Sequence, residues 1–251
     1  MSGHSKWAGI KHRKGAQDAK RGKIFTKLIR EITVAAREGG GNPDINARLR
    51  SAIIRAREAN MPGDNVDKAV KKGTGELPGV TYESCMFEGY GPGGVAVIAE
   101  ALTDNKNRAT AEIRNVFSKR GGNLAGTGSV AWQFVQKGYI LINKEAISEE
   151  ELFNIAIEAG AEDVKTDGSN FEVTSETKNF ESVKQALQAK DIKWEVAELT
   201  MIPNTTVKVQ GQQAKQILAL VESLEEQDDV QKVHANFDIP DEIMEEMANE
   251  E

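Results

Sequence analysis

His4, His12, His234 and Cys85 are the side chains of this sequence best suited to metal binding or nucleophilic chemistry, and their spacing argues against both. Two of the histidines sit in the opening residues and the third is far away in sequence. There is no Cys-x-x-Cys pair, no His-Glu-x-x-His helix and no Asp-rich calcium loop, so a first shell for zinc or calcium is not expected. Cys85 falls inside a strand pattern with no histidine near it in sequence, which predicts a small buried thiol and not a nucleophile. Gly89-Tyr90-Gly91-Pro92-Gly93-Gly94 has the glycine content of a phosphate loop. It is followed by the strand-like VAVIAEAL where a phosphate site needs a helix N-terminus, so a hairpin turn is expected. Gly121-Gly122-Asn123 and Gly126-Thr127-Gly128 also precede a strand and lack a Walker lysine. The acidic runs at 149–151, 225–226 and the C-terminus read as solvated faces. The expectation is a protein without catalytic residues, metal or cofactor, and not an enzyme.

Charge is more informative than any of these motifs. The 251 residues carry a net −7. Residues 1–75 hold 17 Lys and Arg against 7 Asp and Glu, a net of +10, and the remainder holds 15 against 32, a net of −17. A partner meets the local potential, which salt screens beyond about 10 Å, so the N-terminal third should behave as a basic protein. At helical spacing Lys20, Lys23, Lys27, Arg30 and Arg37 share an arc of about 100° opposite the apolar stripe, interrupted by Val34. That face is a candidate phosphate-binding surface. Ahead of it, Lys6, Trp7, Lys11, His12, Arg13 and Lys14 interleave one aromatic with cations, an arm suited to groove or single-strand contact. Arg48, Arg50, Arg55 and Arg57 flank the apolar stripe of the next helix, where their stems can cover the core edge. A second candidate site is Asn105, Lys106, Asn107 and Arg108, where amides and two cations meet at a helix start. Capping by Asp104, Asn105 or Asn107 competes with that reading. Arg108 opposes the helix dipole, which gives a functional motive for placing it there.

The elements that position these residues follow from periodicity. Ile24, Phe25, Leu28, Ile29, Ile32, Ala35 and Ala36 predict an amphipathic helix over 17–37. Asn42-Pro43-Asp44 reads as the cap of a second helix with Ile45, Leu49, Ala52, Ile53, Ala56 and Ala59 inward. A third, over 64–72, should end on Gly73 as its C-terminal cap. YESCMFEGY and VAVIAEALT predict a hairpin, followed by a helix over 108–119 and a short strand VAWQF. From Tyr139 the order is strand, helix, strand, strand, helix, strand, the βαββαβ pattern of ferredoxin-like units. A strand TTVKV, a helix over 212–226 and a strand KVHANFDI remain.

The expected class is therefore α+β in three domains. These are a basic helical bundle at 1–78, a discontinuous α+β domain at 79–134 plus 203–240, and an inserted ferredoxin-like domain at 135–202. An acidic tail at 241–251 follows. With 39% apolar and 28% charged residues the chain should fold. No apolar run is long enough for a membrane span or a secretory signal, so no membrane partner is expected. The single cysteine fits a reducing compartment, hence the cytoplasm.

GHSKWAGIKHRK, KIFTKLIREI, AIIRAREANMP, FEGYGPGGVAVI and TDNKNRATAEIRNVFSKRGGN together resemble the YebC/PmpR family across essentially the whole chain. The resemblance implies three domains and DNA-binding transcriptional regulation, with translational activation among mitochondrial relatives. It also implies, for some bacterial relatives, ribosome-linked work on proline-rich nascent chains. The expected partner is a nucleic acid, DNA or ribosomal RNA, with the ribosome and a protein docked on the acidic domains as further candidates. No helix-turn-helix spacing stands out, so RNA shape and backbone contacts fit the basic third at least as well as base readout.

Overall fold

The computed structural model describes residues 18–240 and 242–244, with side chains from Gly22 onward. Among the described residues three helices come first: α1 (Asp18–Gly39), α2 (Ala47–Glu58) and α3 (Gly63–Thr74). Leu28, Ile32, Ala35 and Ala36 of α1 close a core with Leu49, Ala52 and Ala56 of α2 and with Met61, Val66 and Ala69. Helix α2 starts later than the Asn42-Pro43-Asp44 signal suggests. Asn42 instead closes a turn, its side chain accepting from the Asp44 amide, and Asn46 is the cap, accepting from the Leu49 amide at 3.0 Å. The Asn46 amide group also donates to the Ala35 and Gly40 carbonyls, so one buried side chain ends α1 and begins α2. Ile45 then falls in the turn, 80% exposed, and is no part of the core. Gly73 is not the cap of α3 either. That role belongs to Gly75 at φ 84°, while Gly73 lets α3 approach α1 so closely that a Cβ would lie 2.4 Å from the Thr33 carbonyl oxygen.

The hairpin β1 (Glu83–Tyr90) and β2 (Ala96–Thr103) is antiparallel. Its turn through Pro92–Gly94 places Gly93 and Gly94 at φ 75° and 77°, the backbone region for which glycine was expected here. Helix α4 (Lys106–Lys119) and β3 (Asn123–Leu124) follow. The segment read as a strand VAWQF is a short 3₁₀ turn at Ala131–Gln133, after which one long strand β4 (Phe134–Asn143) absorbs both Phe134 and the YILI run. Then come α5 (Glu149–Glu158), β5 (Ala161–Asp167), β6 (Asn170–Glu176), α6 (Phe180–Ala189) and β7 (Val196–Pro203). The last elements are β8 (Val207–Lys208), α7 (Gly211–Glu225), β9 (Val230–Ala235) and β10 (Phe237–Asp238).

Among the described residues two sheets form, ordered β3-β1-β2-β9 and β5-β6-β4-β7, plus a small β8–β10 ladder. The described residues fall into two compact units. One joins the helical bundle, the first sheet, α4 and α7; the other holds Val130–Gly211 and the chain from His234 on. The bundle shares a unit with the first sheet, and 203–211 with 234–240 go to the inserted unit because β8 pairs with β10 and not with β1 or β2. In that unit the strand order β5-β6-β4-β7 is antiparallel throughout, with α5 and α6 packed over Ile140, Ile142, Phe171 and Val173.

Candidate nucleic-acid interface

Of the cations on the α1 arc, three converge on the end of α7. The Lys27 ammonium donates to the Glu225 carbonyl at 2.6 Å and Lys23 reaches the Glu226 carbonyl at 3.5 Å. A helix C-terminus leaves its last carbonyls without partners and carries partial negative charge, so cations are favoured there. Arg30, one turn on, donates to the Asp228 carbonyl and to Asp229 Oδ1, and its guanidinium lies 5.6 Å from the Tyr82 ring centroid. Val34, the apolar residue that interrupts the basic arc, is 3% exposed. The face that sequence spacing placed opposite the core is thus a second packing face, turned toward the first sheet and α7. Burial pulls the Lys27 pKa down, against the opposing charges of Glu225 and Asp228.

Asp229 is the centre of this contact and carries no signal in the sequence beyond its place just before β9. Its side chain is 5% exposed and receives Arg30, Arg108 at 2.8 Å and the Thr103 hydroxyl at 2.8 Å. Burial alone would raise the carboxyl, but hydrogen bonds from Arg108 and Thr103, with the charges of Arg30 and Arg108, hold it below its ordinary value. The same hydrogen bond and charge push the Arg108 guanidinium further up. The cation at the start of α4 therefore has a structural reason that the dipole argument did not supply. Asn105 caps α4, accepting from the Arg108 amide at 3.0 Å. Arg108 also pairs with Asp104 at 2.8 Å. Lys106 and Asn107 are exposed at the same turn.

The remaining expected contacts divide by position. Arg37 is exposed and donates to the Val80 carbonyl at 3.2 Å. Lys6, Trp7, Lys11, His12, Arg13 and Lys14 lie outside the described residues, and so does the side chain of Lys20. Arg48 ties α2 to α1 through ion pairs with Glu31 and Glu38. Arg50, Arg55 and Arg57 on α2 and Lys68, Lys71 and Lys72 on α3 are exposed, with Arg50 touching the Asp44 carbonyl at 3.2 Å. Sequence spacing named the three arginines as flanking the core edge and did not name the α3 lysines. Among the described residues no cluster of three or more His, Cys, Asp or Glu could hold a metal ion. Among the described residues no helix is long and apolar enough to cross a membrane. His234 is buried with its Nδ1 3.3 Å from the Thr200 hydroxyl.

Residues 5–76 match the TACO1/YebC protein N-terminal domain, and residues 82–237 match the TACO1/YebC second and third domain. The chain belongs to the TACO1/YebC family. A relative from Syntrophobacter fumaroxidans is 56% identical, covering 99% of this chain and 100% of its own length. Another, from Desulforapulum autotrophicum, is 55% identical over 98% and 100%. Both carry the name probable transcriptional regulatory protein. A crystal structure of a conserved hypothetical protein from Aquifex aeolicus matches with a TM-score of 0.81 at 49% identity, covering 90% of this chain and 93% of that one. Family membership accounts for the sequence strings spread through the bundle and the first sheet, and for the shared mixture of N-terminal helices and sheet domains.

Proposed function

We propose that this TACO1/YebC protein is a non-enzymatic, cytoplasmic, nucleic-acid-binding regulator of gene expression. The observation that carries the reading is the charge asymmetry, +10 over residues 1–75 against −17 elsewhere. The names of its relatives support a transcriptional role and hence DNA as the polyanion. With Lys27 and Arg30 engaged inside the unit, the contact surface is the arm with Lys6, Trp7, Lys11, His12, Arg13 and Lys14, flanked by exposed cations of α2 and α3. These serve as phosphate contacts, which position a partner without reading its sequence.

One observation favours RNA, in the form of a ribosome-associated translation factor easing synthesis of proline-rich nascent chains. The densest basic helix face, that of α1, is turned inward, which takes its cations Lys27 and Arg30 away from a major groove. An aromatic-bearing arm and scattered cations suit folded RNA, recognised by shape and backbone. Crosslinking in cells, followed by sequencing of the DNA and RNA recovered with the protein, separates the two. Enrichment of promoter DNA supports the transcriptional reading and enrichment of ribosomal RNA the translational one. Recovery of neither above background rejects both.

A further inference from the structure

Phosphate contacts leave a DNA sequence unread. Sequence is read where a helix brings Arg, Asn and short side chains to base edges in the major groove. Helix α4 presents such a set. Ala109, Ile113 and Phe117 form its buried side, with the Phe117 ring against Gly89 of β1 and Gly122. On the opposite side Asn107, Ala111, Arg114, Asn115 and Ser118 share an arc of about 100°, and all five are exposed. The one carboxylate of the helix, Glu112, falls outside that arc and beside Arg108 at 3.8 Å. The side chains of Asn107, Arg114 and Asn115 enter no hydrogen bond or ion pair among the described residues. Lys119, in the last turn, is exposed at the edge of the arc. The start of the helix is held firmly, since Asn105 caps it at 3.0 Å and Arg108 ties its first turn to Asp229 at 2.8 Å. Its fourteen residues span about 21 Å, enough to lie in a groove about 12 Å wide.

We propose that the exposed face of α4 reads base edges in the major groove of duplex DNA, with Asn107, Arg114 and Asn115 as its specificity-determining side chains. The inference rests on the transcriptional reading above and names the element that gives it sequence preference. The Arg114 guanidinium can donate two N–H bonds to O6 and N7 of one guanine. An asparagine amide can do the same for an adenine, donating to N7 and accepting from N6. Ala111 and Ser118 are short, so they let the helix backbone approach the base edges, and the Ala111 methyl fits against a thymine methyl. Lys119 then meets a phosphate at the groove wall, which sets the position of the helix without adding to the readout. Arg108 is excluded as a reader because Asp104 and Asp229 already hold its guanidinium.

Selection of binding sites from a pool of randomised DNA duplexes by the full-length protein, repeated with Arg114→Ala/Asn115→Ala, tests it. The parent should enrich a site containing guanine and adenine. The variant, altered only at exposed positions, should melt with the parent and bind unselected duplex nearly as well, yet lose about tenfold in preference at the base pairs concerned. Arg114→Lys keeps the charge and gives up the paired donors, so the guanine preference should fall there too. Methylation interference gives a second readout on the selected site. A methyl group on N7 of the contacted guanine should weaken the parent about tenfold and Arg114→Ala hardly at all. The same site enriched equally by parent and variants, or duplex binding by the parent with no enriched site, would overturn the proposal and leave nucleic-acid binding in place. Absence of any duplex binding by the parent would remove the DNA reading together with it.

Discussion

Arg30 of α1 and Asp229, 199 residues later, meet in a salt bridge of 2.5 Å whose side chains are 13% and 5% exposed. The pair joins the helical bundle to the first sheet, and Arg108 and Thr103 complete the carboxylate's coordination. A buried ion pair of this kind adds little net stability over an apolar isostere, yet removing one partner strands the other charge. Asp229→Ala should therefore lower the unfolding free energy by about 3 kcal/mol, because two arginines lose their common acceptor. Urea unfolding measures it, and a loss below about 0.5 kcal/mol would place the contact among pairs of no energetic weight.

The same residue makes an acid-side prediction. Its folded pKa lies below the ordinary 3.8, so its contribution is complete above that value and disappears as pH falls through the lowered one. The difference in stability between the parent and Asp229→Ala should stay level from about pH 7 to pH 5 and shrink below about pH 4. A difference that instead grew on acidification would reverse the sign of the assigned shift.

Asn105→Ala removes the side chain that accepts from the Arg108 amide at the start of α4, and about 1 kcal/mol of stability should go with it. Lys106→Ala at the next position, exposed and outside the cap, should leave the melting temperature unchanged. Nucleic-acid affinity reduced by more than twofold in Lys106→Ala would support the loop as a second contact. An unchanged affinity would leave capping and the Asp229 link as its whole role.

The limits of the sequence are visible in particular residues. The apolar stripe of α1 is local and was legible, since Leu28, Ile32, Ala35 and Ala36 recur at the helix period and are buried together. The basic arc was also legible as basic. Its destination was not, because Glu225 and Asp229 lie 198 and 199 residues from Lys27 and Arg30, and nothing local encodes such a pairing. Val34 was the available signal: an apolar side chain amid cations marks a face that packs. The start of α2 was misplaced because Asn42-Pro43-Asp44 has the chemistry of a cap. Asn46 wins only through its tertiary bonds to Ala35 and Gly40. Strands β8 and β10 show the same dependence on distant partners, each being two residues long and defined by the other.

Gly73→Ala tests how closely α1 and α3 must approach. The added Cβ would sit 2.4 Å from the Thr33 carbonyl oxygen and 2.7 Å from the Ala36 Cβ, both on a rigid helix. Backbone must move, and overpacking of this kind costs about 1–3 kcal/mol. At an ordinary helix position the same change stabilises by about 1 kcal/mol, so even the sign of the effect is diagnostic. A more stable Gly73→Ala protein would mean that the two helices pack less tightly than described.

Cations that hold the unit together are separable from those left for a partner. Lys27 and Arg30 are engaged with the end of α7 and Asp229. Reversing both to glutamate places two carboxylates against a helix C-terminus and a buried aspartate, so the melting temperature should fall whatever happens to binding. Arg55, Arg57, Lys71 and Lys72 are exposed. Their reversal should leave melting within a degree or two, while nucleic-acid affinity drops and its dependence on salt becomes shallower, since fewer counterions are released on binding. Calorimetry and a salt titration of binding, run on both variants, check the division. Loss of affinity without loss of stability in Lys27→Glu/Arg30→Glu would return the α1 face to the interface. An unaltered salt slope in the second variant would remove α2 and α3 from it.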